Sequence, residues 1–124
     1  MNLCDEILNL DKGIRFVAIM SKSGKVLDSK VREDVKGREL MPIHVLEAVG
    51  ATMSRTVWSV ARSFSKYFGE NLRVVFHHER LDFVVMEIKG NIIAFTTDKD
   101  VITDNIARKI RKIYLEASEA PKQC

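Results

Sequence analysis

Hydrophobic residues along the chain follow two periodicities, and the switch between them separates predicted strands from predicted helices. Runs of six or seven residues rich in Val, Ile and Phe predict β-strands, whereas apolar residues three or four positions apart predict helices. Five strands are expected, at residues 14–20, 26–31, 72–78, 82–88 and 91–97. Three helices are expected, at residues 2–10, 40–68 and 98–117. The predicted element order is therefore α-β-β-α-β-β-β-α.

The middle helix has the longest apolar stripe in the chain. Pro42 falls in its first turn, where a missing N–H costs little, and Gly69 follows as a C-terminal cap. The stripe consists of Leu46, Val49, Met53, Val57, Val60, Phe64 and Phe68. This spacing predicts one continuous helix over residues 40–68, with the whole stripe facing the core.

Polar residues and glycines mark the ends of the other elements. Asn2 is the predicted cap of the first helix, Gly13 its stop, and Gly24 the turn residue of the first hairpin. Asp100 or Thr103 is expected to cap the last helix. The apolar stripes of these two helices are Leu3, Ile7 and Leu10, and Ile102, Ile106, Ile110, Ile113 and Ala117.

The polarity of each strand predicts its place in the sheet. Strands 14–20, 82–88 and 91–97 are apolar on nearly every residue, so helices must cover both faces of the sheet. Strands 26–31 and 72–78 contain the polar residues and are expected at the two edges. The predicted fold class is therefore α/β (α+β), a three-layer α/β/α sandwich around a five-stranded antiparallel sheet.

Size and composition fit one small intracellular domain. The chain has 124 residues, 46% of them hydrophobic, which predicts a single domain over residues 1–124 with a flexible tail at 118–124. Cys4 and Cys124 form neither a disulfide framework nor a zinc spacing, which favours the reducing cytoplasm. No secretory signal and no membrane span are predicted. The net charge of +3 permits an anionic partner without indicating one.

The stretch Val75-Phe76-His77-His78-Glu79-Arg80 is the most suggestive chemical motif. In a strand, neighbouring side chains point to opposite faces, so His77 and His78 cannot both bind one metal ion. The only other histidine is His44, whereas zinc needs three or four converging ligands. A structural or interface role is therefore predicted, with a pH-sensitive contact as the alternative.

Other candidate sites also have simple structural explanations. The chain has no glycine-rich phosphate loop, and SKSGK is expected to be a hairpin turn instead of an anion site. Asp98 and Asp100 are expected to cap the last helix instead of binding a metal. The sequence therefore predicts no catalytic residue, no metal and no cofactor.

Two groups of residues are candidate partner surfaces. Trp58 lies on the middle helix with Arg55 and Arg62 nearby, so it is either an interface anchor or an extension of the core. A basic run on the last helix is either a solvated face or a surface for nucleic acid or an acidic protein. It consists of Arg108, Lys109, Arg111 and Lys112.

The layout of the chain, a long helix between a hairpin and a three-strand meander, resembles the Roadblock/LC7 family. This family is a branch of the profilin-like and longin-like folds. The segment IIAFTTDKDVITDNIARKIRKI is similar to the family's last strand, its acidic break and the following helix. The segment VAIMSKSGKVLDS is similar to the family's first hairpin.

The resemblance implies a homodimer or heterodimer in which the third strands pair across a two-fold axis. A ten-stranded sheet then forms, with the two long helices side by side. Such dimers are platforms for small Ras-like GTPases or adaptors in signalling complexes, and they do not bind nucleotide themselves. The interface predicted for this chain comprises Leu72, Arg73, Val74, Val75, Phe76, His77 and His78, with Arg55, Trp58 and Arg62.

The favoured function is thus a non-enzymatic dimeric adaptor that regulates or scaffolds a small GTPase or signalling complex. One alternative is a PAS-like sensor with a small ligand held between sheet and helix. A further alternative is weak nucleic-acid binding through the basic last helix, and nucleic acid is the less favoured partner.

Overall fold

The computed structural model describes residues 2–36 and 42–119. Most of the predicted tail, and the first two residues of the predicted middle helix, lie outside these ranges. The strands are β1 (Ile14–Met20), β2 (Val26–Val31), β3 (Val74–His77), β4 (Asp82–Ile88) and β5 (Asn91–Thr97). The helices are α1 (Leu3–Leu8), α2 (Ile43–Arg55), α3 (Val57–Phe68) and α4 (Thr103–Glu119), and a short 3₁₀ turn spans Glu33–Val35.

The five strands form one antiparallel sheet in the order β2-β1-β5-β4-β3. The predicted fold class and the two predicted edge strands are therefore confirmed. The bounds of β1, β2, β4 and β5 also match the prediction. Strand β3 is shorter than predicted: Leu72, Arg73 and His78 lie outside it.

Helices cover both faces of the sheet, as predicted. On one face, α1 and α4 bury Ile7 and Ile110 against Val17 and Phe95. On the other face, α2 and α3 bury side chains against Met20, Val85 and Ile92. The buried helical residues of this second layer are Leu46, Met53 and Trp58.

The predicted single helix over residues 40–68 is wrong, because the chain breaks at Thr56. This residue has φ −115° and ψ −69°, and it separates α2 from α3. The hydroxyl of Thr52 donates to the Ala48 carbonyl at 3.1 Å, and that of Thr56 donates to the Thr52 carbonyl at 2.8 Å. Hydroxyl bonds of this kind compete with the helical backbone and bend helices.

The predicted core stripe is also wrong beyond the break. Val60, Phe64 and Phe68 are 58%, 51% and 80% exposed, so the last three residues of the stripe face outward. Trp58 is only 4% exposed and takes their place in the core, with Ala61 packed beside it. A similar correction applies to α4, whose buried stripe begins at Ile106 because Ile102 is 68% exposed.

The predicted turn and cap residues are mostly confirmed. The side chain of Asn2 accepts a hydrogen bond from the Asp5 N–H at 2.9 Å. Gly24 and Gly69 have φ values of +94° and +84°, which L-residues rarely adopt. Helix α1 ends earlier than expected, with Asn9 as its C-terminal cap instead of a stop at Gly13.

A candidate interaction surface at strand β3 and helix α3

Strand β3 forms one of the two edges of the sheet, and β2 forms the other. Strand β3 pairs only with β4 among the described residues, in the register Val74↔Val85 to His77↔Asp82. Val74 and Phe76 pack into the α2–α3 layer and Val75 into the α1–α4 layer. The backbone of this strand is therefore held in place, while the hydrogen-bonding groups on its outer side have no neighbouring strand in the described part of the chain.

A charged cluster fixes the C-terminal end of β3. The Nδ1 atom of His77 lies 3.0 Å from Oδ1 of Asp82, and Nζ of Lys99 donates to the same oxygen at 2.6 Å. Asp82 is buried, and the hydrogen bond from Lys99 lowers its pKa, assisted by the one from His77. The carboxylate thus stays charged and ties together the ends of three neighbouring strands.

The residues before β3 differ in their availability to a partner. Arg73 donates from Nε to Oδ1 of Asp104 at 2.9 Å, so its guanidinium is attached to α4. Leu72 is apolar and half exposed. Of the two, Leu72 is therefore the residue that a partner can contact without breaking an ion pair.

Helix α3 exposes a continuous apolar surface beside β3. We define the apolar ridge as Val60, Phe64, Phe68 and Leu72, all at least half exposed. The rings of Phe64 and Phe68 stack with centroids 5.6 Å apart, and both line one shallow depression with Leu72. Clustered exposed aromatic residues commonly mark protein interaction sites. The spacing of apolar residues in the sequence had instead predicted that Val60, Phe64 and Phe68 lie in the core.

The structure places the predicted anchor Trp58 in the core. Its Nε1 is buried without a hydrogen-bond partner in the described part of the chain, so the indole acts as an apolar group. Arg55 and Arg62 are exposed. The aromatic contribution to this surface therefore comes from the apolar ridge instead of Trp58.

A groove separates helix α2 from one end of the sheet. Its volume is about 1420 Å³, and we call it the α2 groove. Residues from β1, β2, β3, β4 and β5 line it together with α2 and the turn after β3. Its lining includes Phe16, Val31, Val35, Val45, Val49, Met53, Phe76, His78, Glu79, Arg80, Leu81 and Phe83. No sequence motif predicted it, because its walls come from many separate elements.

The remaining chemical candidates do not converge on a reaction centre. Asp98 accepts hydrogen bonds from Arg15 at 3.1 Å and Arg32 at 3.0 Å. Helix α4 begins only at Thr103, so the prediction that Asp98 caps it is wrong. Burial raises the pKa of the Asp98 carboxyl, but the bonds from these two arginines outweigh that effect and lower it. Within residues 2–36 and 42–119, no cluster of three metal-binding side chains occurs.

The basic residues that were predicted as a possible partner surface lie on helix α4. Three of the basic residues of α4 are exposed and Arg111 is half buried. The exposed three are Arg108, Lys109 and Lys112.

Among the described residues, no helix is both long and apolar enough to cross a membrane.

Solved structures share this architecture along almost the whole chain. A Roadblock/LC7 domain from Streptomyces avermitilis matches with a TM-score of 0.70 and 13% sequence identity, over 94% of this chain and 92% of the other. The chain has the Roadblock/LC7 fold. The gliding protein MglB from Thermus thermophilus has a TM-score of 0.64 at 16% identity, over 92% of this chain and 87% of its own.

A further solved structure with this architecture is an MglB described in a tetrameric arrangement. It has a TM-score of 0.64 at 18% identity and covers 93% of this chain and 87% of its own. No protein-family model matches the sequence, and no curated protein sequence shows significant similarity to it. The Roadblock/LC7 resemblance inferred from the sequence is thus confirmed for the fold.

Proposed function

We propose that this Roadblock/LC7-fold chain is a non-enzymatic interaction module that works as a homodimer. The observation that carries the proposal is the open β3 edge beside the exposed apolar ridge. An edge strand offers backbone hydrogen bonds, and the ridge offers apolar area next to it. Antiparallel pairing of two β3 strands would use both and would produce a continuous ten-stranded sheet.

Antiparallel pairing also suits the bulky end of β3. The exposed His77 side chain leans toward Asp82 within its own chain, at 3.0 Å, instead of projecting freely from the edge. Arg73 is similarly held by Asp104 on α4. These two attachments leave the centre of the strand, residues 74–76, accessible along its outer backbone.

Light scattering at micromolar concentration tests the assembly directly. The wild-type chain should give the mass of two copies, and Phe68→Glu should shift it to the mass of one. The matched control is Leu27→Glu, because Leu27 is 56% exposed on the opposite edge strand. A monomeric wild-type chain, or equal effects of both variants, would reject the proposed interface.

We further propose that the dimer is an adaptor for a small Ras-like GTPase or a signalling complex in the cytoplasm. The resemblance to the Roadblock/LC7 family supports this partner class, and the structural similarity to a gliding protein is compatible with it. The immobilised dimer should retain a small GTPase more strongly with a GTP analogue than with GDP, or the reverse. Equal retention of the GTPase with the GTP analogue and with GDP would argue against GTPase regulation.

The PAS-like sensor alternative has one observation in its favour, the α2 groove between sheet and helix. Native mass spectrometry of freshly purified protein distinguishes it from the adaptor. A sensor would carry a bound ligand as additional mass, whereas the proposed adaptor would show the mass of the polypeptide alone.

A further inference from the structure

Two large apolar features have no partner within the described part of the chain: the apolar ridge is exposed, and the α2 groove is unfilled. We propose that the ridge of one copy occupies the groove of a second copy, and the reverse. This inference rests on the proposed homodimer and adds which surfaces meet within it. Each copy would then complete the second core layer of the other.

The direction of β3 connects the two features. Leu72, the last residue of the ridge, lies two positions before the first residue of β3. The groove is lined by Phe76 near the end of β3 and by Leu81 in the following turn. Strand β3 therefore runs from the ridge toward the groove.

A two-fold axis between antiparallel β3 strands reverses this direction in the second copy. The ridge at the start of one β3 then lies beside the groove at the end of the other. Phe76 packs into the α2–α3 layer, so ridge and groove also lie on the same side of the sheet. Parallel pairing would instead bring ridge to ridge and groove to groove.

The size and lining of the groove fit a protein surface. Its volume of about 1420 Å³ exceeds the roughly 300–1,000 Å³ of usual small-molecule pockets. Val49, Met53 and Phe83 provide apolar walls for aromatic side chains. Aromatic residues that fill such sites supply much of the binding energy of protein interfaces.

The charges around the two features are also compatible. Exposed Arg62 and Lys66 lie on the same helix as the ridge. Glu79 lines the groove and offers them an acidic partner, although neighbouring Arg80 offsets part of its attraction. These rim charges would favour the correct orientation more than they would add affinity.

The break at Thr56 gains a role in this arrangement. Without it, Val60, Phe64 and Phe68 would continue the stripe of α2 and face the core of their own chain. The break turns Trp58 inward instead and leaves the three residues outside. The core of one chain is thereby closed by Trp58, while the ridge is free for the second copy.

Disulfide crosslinking between copies tests the ridge-in-groove contact. Cys124→Ser serves as background, and Cys4 has no exposed surface. Phe68→Cys and Leu81→Cys chains are prepared separately, then refolded together and oxidised. The mixture should form crosslinked dimers several-fold more efficiently than either variant alone, because only it brings position 68 against position 81. Phe68→Cys mixed with Leu27→Cys is the matched control and should stay uncrosslinked.

The outcomes separate this inference from the proposed function. A dimer in which Phe68→Cys chains crosslink with one another, with no gain on mixing, overturns the ridge-in-groove contact and keeps the homodimer. A monomer in light scattering overturns both. A small molecule retained in the native mass spectrum, without the 68–81 crosslink, assigns the groove to a ligand and also overturns the inference.

Discussion

Gly24 in the β1–β2 turn lies against Gly50 of helix α2, so closely that a Cβ atom at Gly50 would be 3.2 Å from the Gly24 Cα. Nearby, the Glu47 carboxylate accepts a hydrogen bond from the Val26 N–H at 3.0 Å. Both contacts hold α2 over the turn end of the first hairpin. The α2 groove lies at the opposite end of the sheet.

Gly24→Ala should destabilise the chain by about 3 kcal/mol, combining backbone strain and overpacking. A Cβ at this position would lie 2.4 Å from the Ala51 nitrogen, at a φ of +94°. Urea unfolding measures the loss. Gly90→Ala is the matched control, because Gly90 also has a positive φ but only an ordinary 3.5 Å contact with Lys22. It should cost about 1 kcal/mol, and equal costs would contradict the close approach.

The sheet was largely predictable because burial on two faces leaves a clear pattern in the sequence. Strands β1, β4 and β5 are apolar on both sides, so their bounds and central positions follow from their composition. The polar edge strands followed for the same reason. The location of β3 at an edge was thus predictable from its polar residues.

The second layer was less predictable because competing local bonds and packing decide it. The spacing of apolar residues is the same before and after Thr56, yet Leu46 and Met53 are buried whereas the last three residues of the stripe are exposed. Two threonine hydroxyl bonds and the burial of Trp58 override that spacing. The partners of Asp98, 66 and 83 residues distant in the sequence, likewise have no local signature.

Trp58 should tolerate an apolar aromatic replacement but not truncation. Its Nε1 has no hydrogen-bond partner within the described residues, so Trp58→Phe removes an unpaired donor together with some packing. Phenylalanine should therefore cost less than about 1.5 kcal/mol, whereas Trp58→Ala should cost about 3–5 kcal/mol. Thermal unfolding followed by circular dichroism checks both values. A large loss with phenylalanine would mean that the indole N–H is bonded after all.

Cys4 should be unreactive in the folded chain. Burial, assisted by Asp28, raises the pKa of its thiol to about 12, and the side chain has no exposed surface. Because the thiolate is the reactive form, modification must wait for opening of α1. In a Cys124→Ser background, labelling by a thiol reagent should be slow in buffer and fast in denaturant. Fast labelling in buffer would contradict the packing of α1 on the sheet.

Asp82 should make the chain sensitive to acid. The hydrogen bond from Lys99, with the one from His77, lowers its pKa below the unfolded value of about 3.9. Its contribution is therefore present above the unfolded pKa and is lost as the pH falls through the folded pKa. Urea midpoints measured between pH 7 and pH 2 should fall over this acid range.

Two variants isolate the Asp82 contribution. Asp82→Asn should lower stability at pH 7 and flatten the acid dependence, since the ionised carboxylate is gone. Lys99→Ala removes the shorter of the two bonds, 2.6 Å against 3.0 Å, so acid unfolding should begin at a higher pH than in His77→Ala. If His77→Ala instead had the larger effect, the histidine at the end of β3 would be the main partner of the buried carboxylate.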